Sequence, residues 1–197
     1  MKELNYLNKW KHVDNFLNYH NWNLDNYLLK KPFNFEELNR NHKNKMIEQY
    51  KRDKILQEIS GGYNTHYDNE EYNSIIGEAF LNIVQQNFEV SQLLDKIKTW
   101  IYVQNYQHWH SVWHTHVTTA SVNAVFYIDP PKKGGGLNLR FNGIEHIIHP
   151  EPNILYIFPC WMEHRPLPQE DNEWRISVNI EYMCDQRPIV KETQIMW

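Results

Sequence analysis

Cysteine is nearly absent from this 197-residue chain, which holds only Cys160 and Cys184. Two cysteines cannot build the multi-bridge framework of a small secreted domain, so a reduced, cytoplasmic setting is expected. Long apolar runs are missing too. No stretch approaches the roughly 20 apolar residues of a membrane-spanning helix. The opening residues, Met1-Lys2-Glu3-Leu4-Asn5, lack the apolar centre of a signal peptide. Basic clusters are also lacking: the formal net charge is -4, and Lys and Arg are scattered. That balance argues against a nucleic-acid-binding surface. No internal repeat and no linker interrupts the chain. Its length suits one buried core, so a single domain is expected.

What the chain does contain changes character near Trp100. Residues 1–30 carry Trp10, Phe16, Tyr19, Trp22 and Tyr27 at spacings near three, without a clean period. Lys31-Pro32 breaks the chain. Residues 34–58 place Phe35, Leu38, Met46, Ile47, Tyr50, Ile55 and Leu56 at roughly helical spacing, and Gly61-Gly62 ends that segment. Residues 69–86 give the clearest helix. Asn69-Glu70-Glu71 supply a cap and an acidic first turn. Tyr72, Ile75, Ile76, Phe80, Ile83 and Val84 make its apolar stripe. Residues 91–99 read as a shorter helix through Leu93, Leu94 and Ile97.

From Trp100 onward the runs are short and β-like, at 100–107, 109–117, 121–129, 136–142, 144–149, 153–159, 162–167 and 173–182. Pro130-Pro131, Gly134-Gly135-Gly136 and Asn142-Gly143 supply turns. Eight short strands at this spacing point to a sandwich or jelly roll. The expected architecture is mainly β, with N-terminal helices bracing one sheet. Residues 1–99 form the helical support, 100–182 the jelly-roll core and 183–197 a C-terminal tail.

The chemistry-bearing residues concentrate in that core. His114 and His116 are two apart, so on a strand both imidazoles share a face. His164 follows 48 residues later, far enough for the chain to cross a barrel and return. Clustered imidazoles suit a divalent first-row metal with open positions. Arg175 and Ser177 are again two apart, and an inward Arg beside a hydroxyl suits a carboxylate. A bland reading stands against each. A His-rich strand can carry exposed imidazoles, and an isolated Arg is usually a surface cation. The joint spacing of His114, His116, His164, Arg175 and Ser177 favours the site. His108 and His110 share the even parity of His114 and His116, but sit further from a strand end. Asp129 and Glu163 are nearby carboxylates, although Glu163 adjoins His164 and would face away on a strand. Asn123, Tyr127, Asn179 and Tyr102 match inward parity, as ordinary buried polar residues would. Trp113, Trp161 and Trp174 read as packing or rim residues. His146 and His149, three apart, read as surface residues.

The stretch Phe158-Pro159-Cys160-Trp161-Met162-Glu163-His164 resembles the FPSWLEH signature of a family of 2-oxoglutarate/iron(II)-dependent oxygenases common in marine phages and bacteria. The family carries a Trp fourteen residues before an H-x-H pair, as Trp100 stands before His114. Val125-Phe126-Tyr127 matches its aromatic strand end. Gly136-Leu137-Asn138-Leu139-Arg140-Phe141 matches its Gly-Leu-x-x-x-Phe strand. Arg175-Ile176-Ser177 matches the R-I-S opening of its last strand, and the likeness spans Trp100 to Tyr182.

That resemblance implies a double-stranded β-helix, cupin-like, with His114, His116 and His164 holding Fe(II). It implies 2-oxoglutarate as co-substrate, held by Arg175 and Ser177 with Asn123 and Tyr127 beside it. It also implies O2 as oxidant and hydroxylation of an aliphatic carbon on an amino-acid, peptidyl or other small substrate. The usual facial triad has two His and a carboxylate, so a third His leaves more positive charge on the metal. A 2-oxoglutarate dianion would neutralise it. Two other readings stay open: a three-His cupin-type metalloenzyme that does not use 2-oxoglutarate, and a non-catalytic β-sandwich binding module. Neither needs an Arg-x-Ser pair eleven residues after the last ligand.

Overall fold

The computed structural model describes residues 23–60, 67, 69–90, 93–104, 112–184 and 187–197. Expectations for residues 1–22, for Gly61-Gly62 and for His108 and His110 lie outside the described residues. In chain order the elements are β1 (Leu29–Pro32), α1 (Glu36–Ser60), α2 (Glu70–Asn87), β2 (Phe88–Glu89) and β3 (Leu93–Gln104). Then follow β4 (Val122–Asp129), β5 (Leu137–Phe141), β6 (Ile144–Ile148), β7 (Ile154–Pro159) and β8 (Glu163–Pro166). The chain closes with β9 (Arg175–Cys184), β10 (Ile189–Val190) and β11 (Ile195–Met196).

Period-two patterning builds the main sheet, whose order is β1-β7-β4-β9-β3 with every pair antiparallel. On β9 the even positions Ile176, Val178, Ile180 and Tyr182 are fully buried apolar residues. The odd positions Arg175, Ser177, Asn179 and Glu181 therefore share the opposite face. Register extends that polar face across the sheet. Gln104, Tyr102, Trp100 and Lys98 of β3 stand opposite Arg175, Ser177, Asn179 and Glu181. Asn123 and Tyr127 of β4 stand opposite Glu181 and Ser177.

The helices cover the apolar face. Asn69 caps α2, its side chain accepting from Tyr72 N at 2.9 Å. Gly77 of α2 lies directly on β3, where a Cβ would stand 3.3 Å from Ile97 Cγ2. Met46, Tyr72, Ile76, Phe80 and Val84 from the helices join Ile101, Phe126, Val178 and Ile180 in one hydrophobic core. Phe33, just past β1, stacks edge-on to Phe126 at 4.9 Å.

A second sheet, β6-β5-β8, faces the polar side. Its β5–β6 hairpin turns through Asn142 and Gly143, both at positive φ (52° and 75°), the two-residue turn that matches strand twist. The ring of Phe158 on β7 lies 4.9 Å from His164 on β8, so the two sheets pack face to face. The result is a double-stranded β-helix braced by helices, as the strand spacing implies.

Three expectations need correction. Of the expected helix 91–99, the described residues 93–99 are not helical; they open the long strand β3, with a register shift between Leu93 and Ile97. The Leu93-Leu94-Ile97 spacing mimics a helix because a bulge interrupts the alternation. The expected strand 109–117 is reduced, among described residues, to one bridge between His114 and His164, followed by a turn at 117–119. The residues after β9, expected as a tail, form β10 and β11, which pair with β2 as a small third sheet. Trp197 is buried there, 4.8 Å from the Phe88 ring, and its indole N–H donates to Asn26 O at 3.1 Å. No helix among the described residues is long and apolar enough to cross a membrane.

Candidate metal centre

His114, His116 and His164 come together although 48 residues separate the second from the third. The His114–His164 bridge is a mutual pair of backbone bonds, His114 N to His164 O at 3.1 Å and His164 N to His114 O at 3.0 Å. The His116 backbone N–H donates to Cys160 O at 2.9 Å, tying the same loop to the segment before β8. The ring centroids lie 4.2 Å (His114–His164), 5.0 Å (His114–His116) and 5.0 Å (His116–His164) apart. One ligand nitrogen from each ring lies within 4.8 Å of the other two.

The other ring nitrogens define the tautomers. His114 Nδ1 meets Val112 O at 2.8 Å, and His164 Nδ1 meets Met162 O at 3.0 Å. His116 Nδ1 meets Glu181 Oε1 at 2.5 Å. All three partners are acceptors, which places a proton on each Nδ1 and leaves Nε2 as the nitrogen a neutral ring would offer to a metal. In neutral rings protonated at Nδ1, the Nε2 atoms of His116 and His164 present lone pairs to one another at 3.3 Å. Two lone pairs at that distance repel unless a cation shares them. Nitrogens bound to one ion at about 2.1 Å lie about 3.0 Å apart at a right angle and about 3.4 Å at the tetrahedral angle. The donor set therefore fits a divalent first-row ion. His164 is buried, and burial, reinforced by His114 and more weakly by His116, pushes its pKa down to about 3. It is thus a neutral imidazole at any physiological pH.

The two carboxylates near in sequence are committed elsewhere. Asp129 pairs with Lys43 and Glu163 with Arg140 at 3.2 Å. The carboxylate that touches the cluster is Glu181, which the sequence reading missed. It is buried on β9, four residues beyond Ser177 at the same parity. It accepts from His116 and from Thr119 Oγ1 at 3.0 Å. Burial pushes its pKa up, but the His116 bond and charge and the Thr119 bond outweigh this and hold it below the usual carboxylate range.

Arg175 lies on the same polar face and is buried. Its Nε donates to Gly135 O at 3.0 Å, and its Nη1 to Gln104 Oε1 at 2.7 Å and to Ser177 Oγ at 3.3 Å. Its Nη2 donates to Tyr127 OH at 3.1 Å. No carboxylate among the described residues pairs with it. Gln104 is a second residue the sequence reading missed, since only the β3–β9 register places it there. Gly135 can turn its carbonyl toward Arg175 because it adopts φ 63°, a conformation open to glycine. Asn123 is buried and both its amide atoms lack a partner among the described residues. Asn179 donates weakly to Ser177 O at 3.4 Å, and Tyr102 stands opposite Ser177.

The tryptophans pack. The guanidinium carbons of Arg140 and Arg165 lie over the Trp113 ring at 4.0 Å and 4.4 Å, Trp161 lies 5.4 Å from Tyr27, and Trp174 meets Tyr50 edge-on at 5.4 Å. His146 lies two strands from His164 across β5, and His149 is exposed; neither joins the cluster.

No family model matches the chain, and no curated protein matches it. Solved structures do. The chain is similar to a Pseudomonas putida prolyl-4-hydroxylase, with 16% identity and a TM-score of 0.51 over 83% of this chain and 90% of that one. It is similar to the viral collagen prolyl hydroxylase of Paramecium bursaria Chlorella virus-1, solved as a 2OG complex, with 13% identity and a TM-score of 0.51 over 82% and 98%. A third likeness is to a non-heme alpha-ketoglutarate-dependent carbocyclase of nogalamycin biosynthesis, with 10% identity and a TM-score of 0.54 over 86% and 83%. At such identities the likeness establishes the fold, the double-stranded β-helix these proteins share with the chain.

Proposed function

We propose that the chain is an iron(II)- and 2-oxoglutarate-dependent oxygenase that hydroxylates an aliphatic carbon of an amino-acid, peptidyl or other small substrate. One observation carries the reading: three imidazoles converge beside a polar face on which a buried Arg175, paired with no carboxylate among the described residues, also lies. A buried cation without an anionic partner is costly, and a dianionic co-substrate supplies that partner. The names of the neighbouring folds, which include a 2OG complex and an alpha-ketoglutarate-dependent enzyme, agree with it.

In this reading His114, His116 and His164 hold iron through Nε2. The iron, together with the 2-oxo acid, supplies oxygen activation coupled to oxidative decarboxylation. Arg175, Tyr127 and Ser177 hold the distal carboxylate. Tyr127 and Ser177 accept from Arg175 through their oxygens, which leaves both hydroxyl protons free to donate to the ligand. Gln104 and Gly135 fix the guanidinium plane, so the fork is organised before the ligand arrives. Asn123, opposite Glu181 and Phe158 by register, keeps a buried amide whose donors and acceptor have no partner among the described residues. The two cysteines are free, as a reducing cytoplasm would keep them.

The test is an anaerobic titration with iron(II), then with 2-oxoglutarate, followed by visible absorbance. One equivalent of iron should bind, and a weak charge-transfer band should appear only with the 2-oxo acid. His114→Ala and His164→Ala should each abolish stoichiometric iron binding. A wild-type chain that binds no iron would end the proposal. The third imidazole in place of a carboxylate keeps one rival alive, the three-His enzyme without 2-oxoglutarate. Iron binding with no response to 2-oxoglutarate would select it.

A further inference from the structure

We infer that Glu181 and His116 act as one ligand unit, in which the negative charge of the usual facial triad is displaced outward by one imidazole. This rests on the iron reading above. The common triad places a carboxylate directly on the metal. Here that position carries His116, and a carboxylate stands behind it at 2.5 Å on the far ring nitrogen. The substitution of His for a carboxylate and the presence of Glu181 are thus two halves of one change.

The geometry supports a positioning role over an incidental ion pair. Glu181 is 3% exposed, on a strand whose inward face is otherwise occupied by Arg175, Ser177 and Asn179. Its Oε1 receives both His116 Nδ1 and Thr119 Oγ1, so the carboxylate is held from two sides. Thr119 belongs to the turn that begins at His116: its backbone N–H donates to His116 O at 3.0 Å. The turn therefore delivers the imidazole and clamps its carboxylate together. A carboxylate on Nδ1 fixes the proton there, aims Nε2 at the metal and raises the basicity of that nitrogen. Lys98, opposite Glu181 on β3, is the cation nearest by register, and its ammonium lies over the Trp100 ring at 5.2 Å.

His116→Asp is the informative change. Taken alone, that change restores the common triad. With Glu181 in place, it sets two carboxylates against each other in a buried pocket, and the site should fail. Removing the second charge should rescue it.

The experiment is a four-member cycle of wild type, Glu181→Gln, His116→Asp and the double variant. Cobalt(II) and anaerobic iron(II) affinities are measured on each full chain, with circular dichroism to confirm folding. Glu181→Gln, nearly isosteric, should weaken metal binding by 10- to 100-fold, the range for loss of an outer-layer partner. His116→Asp should bind worse than the double variant by at least tenfold. Nitrogen-15 imidazole spectra of the metal-free protein should show His116 as the Nδ1–H tautomer in wild type and a tautomer mixture in Glu181→Leu. A Glu181→Gln chain with wild-type metal affinity would overturn the inference, as would a single His116→Asp variant that binds as tightly as the double. Absence of metal binding by the wild type would instead sink the iron reading itself, so the two failures are told apart.

Discussion

Among single residues, Arg175 makes the most testable commitment. Its guanidinium is buried and, among the described residues, hydrogen-bonded only to neutral oxygens. Arg175→Leu should leave iron affinity nearly unchanged and weaken 2-oxoglutarate by roughly 3 kcal/mol or more, about a hundredfold. Lys at this position should recover part of that, because it keeps the charge and loses the fork. Ser177→Ala removes one hydrogen bond and should cost about 1 kcal/mol. Uncoupled turnover of 2-oxoglutarate, followed without the true substrate, reads all three. A wild-type Michaelis constant for Arg175→Leu would move the carboxylate elsewhere. Much of this site was legible in the sequence because strand parity projects directly onto one face: His114, His116, Arg175 and Ser177 are readable as spaced pairs. Glu181 obeys the same parity and could have been found by continuing the odd positions of β9 past Asn179. Gln104 could not, since its role comes from register with a strand seventy residues away.

For whole elements, local signals sufficed wherever the pattern was long and uninterrupted. The helix expected over 69–86 is observed as α2 over Glu70–Asn87, and β4 to β9 fall within two residues of expectation. Failures share a cause: the information was not local. β1 contains Lys31-Pro32, which reads as a breaker, yet Pro32 sits on the sheet's edge opposite Ile154, where a strand tolerates a missing N–H. β3 hides its alternation behind a bulge, and its pairing with β9 overrides the helical spacing. β2, β10 and β11 are two residues each and carry no pattern. The legible elements still make a claim. Asn69 satisfies an orphan N–H of α2, so Asn69→Ala should destabilise the fold by about 1 kcal/mol, while Asn69→Ser should cost little. Urea denaturation of both variants checks this; equal losses would mean that the packing of Tyr72 and Ile76 alone sets the helix start.

On the scale of the molecule, the imidazole cluster joins the two sheets. His164 belongs to the β6-β5-β8 sheet, and His116 is tied through Glu181 to the main one. Stability should therefore depend on pH through this joint. His164 titrates near 6.5 when unfolded, and burial holds it near 3 when folded. Between those values the unfolded chain takes up a proton that the folded chain refuses. Its contribution is therefore complete above about pH 6.5 and is lost at about 1.4 kcal/mol per unit as the pH falls toward 3. Glu181, also depressed in the fold, weakens the molecule in the same direction, but below the ordinary carboxylate range. Metal-free protein, stripped with a chelator, should lose about 2 kcal/mol more between pH 7 and pH 5 than the His164→Asn variant does. The comparison is within each variant, so any intrinsic cost of the substitution cancels. Adding metal to a hundred times its Kd should stabilise the wild type by about 2.7 kcal/mol at pH 7. That increment should shrink at pH 5, because protons then compete for the unfolded and the open imidazoles alike. Identical pH dependence in wild type and His164→Asn would show that the buried imidazole is not held neutral by the fold. The joint between the sheets would then be one of packing alone.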